Sequence, residues 1–251
     1  MRAFTLLELM IVACIIGLLV GLAVPALTGA LQVANQVSCA SNLRHVGVAT
    51  RMYLKDHDDT FFVLVDLAAS EGTGGKCWYF GFETAESAAS GWGRRTVDRS
   101  KGALAPYLGE DARAGVCPAL ASFGDKAKYA DWVWTYGVNA ELTGPVGATK
   151  PKTFGAIHRL DRSRTGLFAD SAQINTFQAP ASRANPLIEE WFYIQTGAPY
   201  VHFRHGGRAN VLFVDWHVEA VEPAEGSLNP ILPGARIGYL DPARVLLRPR
   251  G

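Results

Sequence analysis

The hydrophobic pattern splits the chain near residue 31. From Leu9 to Leu31 no position is charged, and Leu, Ile, Val and Ala fill most of them on every helical face. Those 23 residues, at about 1.5 Å of rise each, would cross a hydrocarbon core of about 30 Å. Pro25 falls inside the run and lacks the amide that a helical ladder needs, so a kink or local melting is expected there. Gly17 and Gly21 form a small-xxx-small pair that permits close helix approach. After Leu31 the pattern changes without a break. Leu43, Val46, Thr50, Tyr53 and Leu54 recur at helical spacing, with Asn42, Arg44, His45, Arg51 and Lys55 on other faces. One helix is predicted from about Phe4 to Lys55, apolar all round in its first half and amphipathic in its second. Asp56-His57-Asp58-Asp59 ends it.

Beyond Thr60 the signals are short. Residues 61–67 read either as a strand or as an irregular apolar run. Residues 70–102 are rich in Gly, Ser and Ala around Trp78, Tyr79, Phe80 and Trp92, which suggests long loops held down by aromatics. A helical turn is expected over 102–109, and strands over 131–138 and 165–170. The clearest β signal is Ala209–Val214 and His217–Val221 about a two-residue turn at Asp215-Trp216. The Pro- and Gly-spaced tail from Glu222 is expected to be ordered only in part. No internal repeat is visible.

Composition narrows the classes. A chain of 251 residues has room for one membrane helix and a globular domain with its own core. With 24 Lys and Arg against 23 Asp and Glu, there is no electrostatic case for nucleic acid. No nucleophile motif, phosphate loop or zinc-spaced Cys/His set points to an enzyme. Of the four cysteines, Cys14 lies in the apolar helix, whereas Cys39, Cys77 and Cys117 would meet an oxidising compartment. Cys77 with Cys117 is the preferred pair, and Cys39 with either is the alternative.

One acid breaks the apolar pattern. Glu8 stands among Leu6, Leu7, Leu9 and Met10, and an acid at membrane depth is expensive enough to be read as functional. An ordinary anchor or signal peptide with an incidental Glu8 is the plainer reading. Phe4-Thr5-Leu6-Leu7-Glu8-Leu9 before an apolar helix resembles the signal of type IV pilins and type II secretion pseudopilins. That resemblance implies cleavage by a prepilin peptidase between Ala3 and Phe4, N-methylation of Phe4, and pairing of Glu8 with the freed amine of a neighbouring subunit. Ala3 stands where the family usually carries Gly.

A second signature lies near the C-terminus. His205 and Asp215 are separated by nine residues, which resembles the His-nine-residues-Asp-Gly motif of a large pseudopilin-like family; Trp216 replaces the Gly. Fragments at Cys39–Arg44, Leu104–Leu108, Val116–Pro118, Tyr136–Asn139 and Phe168–Ser171 fit the same family in order. A Trp resists the positive φ of that Asp-Gly turn, so a different turn or a longer loop is expected. His205, Asp215, His217 and Asp170 could hold a transition metal, or their carboxylates Ca²⁺. The structural alternative is a hydrogen bond from His205 to Asp215 or to a loop carbonyl.

The expected fold is α+β and pilin-like, a long helix with a membrane-spanning first half packed on a mostly antiparallel sheet with long loops. Its divisions are a leader at 1–3, an assembly helix at 4–31, its amphipathic continuation at 32–58 and a globular domain at 59–251. The resemblance implies a non-enzymatic filament subunit without a cofactor, anchored once in the bacterial inner membrane with its domain on the periplasmic side. Its implied partners are other pilin or pseudopilin subunits, the prepilin peptidase and an inner-membrane assembly platform. The rival is a membrane-tethered binding or metal-dependent enzymatic domain that uses the signal only for export.

Overall fold

The computed structural model describes residues 5–66, 74–109, 112–122, 128–144, 153–154 and 161–247. The expected helix is present as α1, Leu6–Asp56, 51 residues long. It runs through Pro25 without the expected melting; Thr28 Oγ1 donates to the Pro25 carbonyl at 2.8 Å. Every side chain from Leu6 to Leu31 is exposed, and the helix is long and apolar enough to cross a membrane. The second half buries one stripe: Cys39, Leu43, Val46, Gly47, Thr50 and Leu54. Gly47 is small for a reason, because a Cβ there would meet the Leu212 methyls at 3.1 and 3.2 Å. The helix ends as its acids suggest. Asp58 and Asp59 take φ of 50° and 53°, a left-handed geometry that Asp tolerates, and the Asp59 amide returns to the Leu54 carbonyl.

The rest is a set of short strands. β1 (Val65–Asp66), β2 (Lys76–Trp78) and β3 (Gly81–Glu83) form an antiparallel meander, followed by α2 (Ala85–Ala89) and α3 (Ala105–Leu108). Part of the segment read as loops is therefore strand; runs of two and three residues carry too little alternation to be seen. Next come β4 (Tyr136–Asn139), α4 (Ala140–Thr143), β5 (Gly166–Asp170), β6 (Gln173–Asn175), β7 (Leu187–Glu189), β8 (Tyr193–Ile194), β9 (Val201–His202), β10 (Ala209–Phe213), β11 (Val218–Val221) and β12 (Ile237–Gly238). The main sheet has the order β11-β10-β5-β4-β8, antiparallel except for β4 with β8. The architecture is α+β and pilin-like, a long N-terminal helix laid on mostly antiparallel sheets.

The core lies between α1 and the main sheet. Tyr79, Trp134, Phe168 and Phe62 pack there, with the Tyr79 hydroxyl 2.9 Å from the carbonyls of Tyr136 and Phe192. Such a buried ring needs a partner for its hydroxyl, and the carbonyls of β4 and of the residue before β8 supply it. The tail is better ordered than its composition suggested. β12 pairs with β9, and Leu240 and Val245 are buried, so residues 237–245 belong to the fold.

Candidate functional site

Two polar groups stand apart, one at the N-terminus of α1 and one buried where the domain meets the middle of α1. At the first, Thr5 caps α1. Its hydroxyl accepts from the Glu8 amide, and its own amide and hydroxyl donate to Glu8 Oε2 at 2.9 and 2.8 Å. This is a capping box, legible in Thr-x-x-Glu but overlooked beside the charge of Glu8. Only one carboxylate oxygen is used. Among the described residues Glu8 Oε1 has no hydrogen-bond partner, and the whole side chain faces outward. Ala3 and Phe4 lie outside the described residues.

At the second site, Asp170 is fully buried at the end of β5. Its Oδ1 accepts from Arg204 Nε and Nη2 at 3.1 and 2.8 Å; its Oδ2 accepts from the Asn210 amide at 2.7 Å. His205 Nε2 lies 3.2 Å from the same Oδ2. Burial alone would push the Asp170 carboxyl up, but the Arg204 guanidinium and His205 outweigh it and hold it down at about 2. Arg204 is the hub. Its Nη2 also donates to the Thr135 carbonyl at 2.7 Å and its Nη1 to the Ser171 carbonyl at 3.3 Å. Burial, with the Arg204 charge beside it, keeps His202 neutral.

The fragments scattered along the sequence meet here. Cys39 and Cys117 form a disulfide across a separation of 78 residues. This corrects the preferred Cys77–Cys117 pairing. Cys77 sits on β2 with its Sγ toward the Lys101 carbonyl at 3.7 Å, whereas Cys39 reaches Cys117 from the buried stripe of α1. Tyr136 pairs with Asp170 across β4 and β5, and its hydroxyl donates to the Cys39 carbonyl at 3.2 Å. Asn42 Nδ2 donates to the Val116 carbonyl at 2.9 Å. Helix, disulfide and ion pair thus form one fastening.

His205 and Asp215 are not partners. Asp215 stands in an exposed loop and pairs with His217, Oδ1 to Nδ1 at 2.5 Å, so the four proposed ligands divide into two pairs. The loop also differs from the expected two-residue turn. The Phe213 amide donates to the His217 carbonyl, and the Trp216 amide to the Phe213 carbonyl. These bonds enclose three residues, Val214, Asp215 and Trp216, with Trp216 at φ 77° where Gly is usual. Its ring stacks on Phe154 at 5.9 Å, which offsets the backbone cost. The tight turn lies one strand earlier. His205 and Arg208 exchange both backbone bonds about Gly206 and Gly207, whose φ values are 61° and 88°.

Among the described residues one group of metal-ligating types gathers within 4.8 Å: Cys39, Cys117 and His205. Its sulfurs are joined, so no thiolate is left to ligate. A buried acidic group went unseen in the sequence. Glu83 pairs with Arg95 at 2.5 Å, Glu189 bonds Gln173 and Asn175, and Glu190 Oε2 accepts from the Lys128 amide at 2.8 Å. Burial pushes Glu190 up to about 7. Compared with protein-family models, curated proteins and solved structures, the chain finds no match in any of the three.

Proposed function

We propose that the chain is a non-enzymatic, pilin-like subunit that a prepilin peptidase cleaves between Ala3 and Phe4 and N-methylates at Phe4. It then joins a type II secretion pseudopilus or a type IV pilus-like filament. It waits in the bacterial inner membrane, with its domain on the periplasmic side, in contact with the assembly platform and other subunits. One observation carries this reading. Glu8 projects from a helix exposed on all faces, with Oε2 held by Thr5 and Oε1 without a partner among the described residues. A carboxylate in lipid gains most from a cation that shares its desolvation cost, and an amine freed on a neighbouring chain is such a cation. Thr5 fixes the acid one turn from that terminus and leaves the second oxygen to receive it.

The buried Asp170–Arg204–His205 group supports a mechanical role for the domain. Both carboxylate oxygens of Asp170 are spent as acceptors on the fold. Glu8→Ala tests the proposal. The variant is expected to be processed and inserted as usual yet to yield no filament by electron microscopy of the sheared fraction. Normal filaments would contradict the reading and favour a tethered domain that never polymerises.

A further inference from the structure

A polar cavity of about 510 Å³ opens beside the Gly206-Gly207 turn, lined by Gln32, Asn35, His205, Gly206 and Arg236, with Arg204 at its floor. Among the described residues no carboxylate lines it. The Arg204 charge is balanced by Asp170, and exposed Arg208 is paired with Glu222 at 2.7 Å. Arg236 differs. Its backbone is pinned, the amide to the Pro233 carbonyl and the carbonyl to the Phe203 amide, while its exposed guanidinium forms no ion pair among the described residues. The Gly206 amide and the side-chain amides of Gln32 and Asn35 also make no hydrogen bond among the described residues. The cavity therefore holds one unbalanced positive charge and a set of unused donors. Arginine's planar fork suits a phosphate, and backbone amides at a Gly turn add to it.

Its position along α1 names the source of that phosphate. The apolar run ends at Leu31, and the polar side chains of Gln32 and Asn35 follow within about one turn. At about 1.5 Å per residue they stand about 2–6 Å past the apolar span, and a headgroup layer is about 5–7 Å deep. We infer that this cavity binds the phosphate of an anionic phospholipid at the membrane surface, with Arg236 as its principal contact. The inference rests on α1 lying in the membrane as proposed above. Such a lipid would seat the domain against the bilayer before assembly, and leaving it would be part of extraction into the filament.

The test uses the full chain, first in nanodiscs of phosphatidylglycerol or of phosphatidylcholine, then by native mass spectrometry with each lipid titrated into detergent. The expected result is one retained phosphatidylglycerol, bound about tenfold more weakly by Arg236→Gln and partly recovered in Arg236→Lys. Arg208→Gln, a surface arginine already paired with Glu222, should bind as the wild type does. Equal retention of the two lipids, unchanged binding by Arg236→Gln, or full competition by inorganic phosphate would each overturn the lipid site. Failure of the chain to enter either nanodisc would instead overturn the membrane reading on which it rests.

Discussion

The two halves of α1 share one backbone and meet different solvents. Its first half presents Leu, Ile and Val on every face and is exposed throughout among the described residues. Its second half buries a single stripe and is fastened by the Cys39–Cys117 disulfide, the Asn42 amide and the Tyr136 hydroxyl. One carboxylate in each region repeats the contrast. Asp170 is completely satisfied within its own chain, and Glu8 only on one oxygen. A group whose bonding is complete stabilises the fold; a group left half-bonded in an apolar setting is positioned for another molecule. The proposed assembly group thus lies in the naked half and the fastening of the fold in the other.

That division can be broken by substitution. The largest effect is expected from Arg204→Met, which strands the buried Asp170 charge and should cost about 3–5 kcal/mol in denaturant unfolding of the detergent-solubilised chain. An unchanged midpoint would show that the ion pair does not hold the domain. Next, Leu43→Ala should cost about 2–5 kcal/mol because it opens a cavity between α1 and the sheet. Leu19→Ala, in the exposed half, should shift the same transition by under about 0.5 kcal/mol. Equal losses for the two would erase the distinction.

Glu190 sharpens the picture through pH. Its folded pKa, pushed up by burial to about 7, exceeds the usual carboxylate value of 4.5. Between those values the native state keeps a proton that the unfolded chain has lost, so stability falls as pH rises from about 4.5 to 7 and then levels off. The span amounts to about 3 kcal/mol. Glu190→Gln should flatten that slope and leave the protein more stable than wild type at pH 8, read by thermal melting across the range. A wild-type slope in the variant would assign the effect elsewhere. Asp170 acts in the opposite sense, its contribution being lost as pH falls through about 4 toward 2.

The long helix was legible because an unbroken apolar run passes directly into a stripe at helical spacing, closed by Asp56-His57-Asp58-Asp59. β10 and β11 were legible as a pair of alternating runs. The remaining strands were mostly hidden, since Val65–Asp66 or Tyr193–Ile194 are too short to show a period. Disulfide partners depend on which thiols the fold brings together, and three cysteines outside the apolar run gave no basis for choosing Cys39. Nothing in the sequence singles out Arg204. Its role appears only when β5, β4 and the turn before β10 converge on it. Glu189 and Glu190, adjacent in sequence, carry no pattern that signals burial, and both are buried. At Trp216 the departure from Gly was visible and a longer loop was expected; the stacking on Phe154 that sustains it was not.

The central claim is that an amine freed at Phe4 completes the bonding of Glu8. Mass spectrometry of the N-terminal peptide, taken from the sheared filament fraction of cells expressing the full chain, tests it most directly. The account expects a terminus at N-methylated Phe4. A chain found there with Met1 still attached, or cut at any other position, would contradict it.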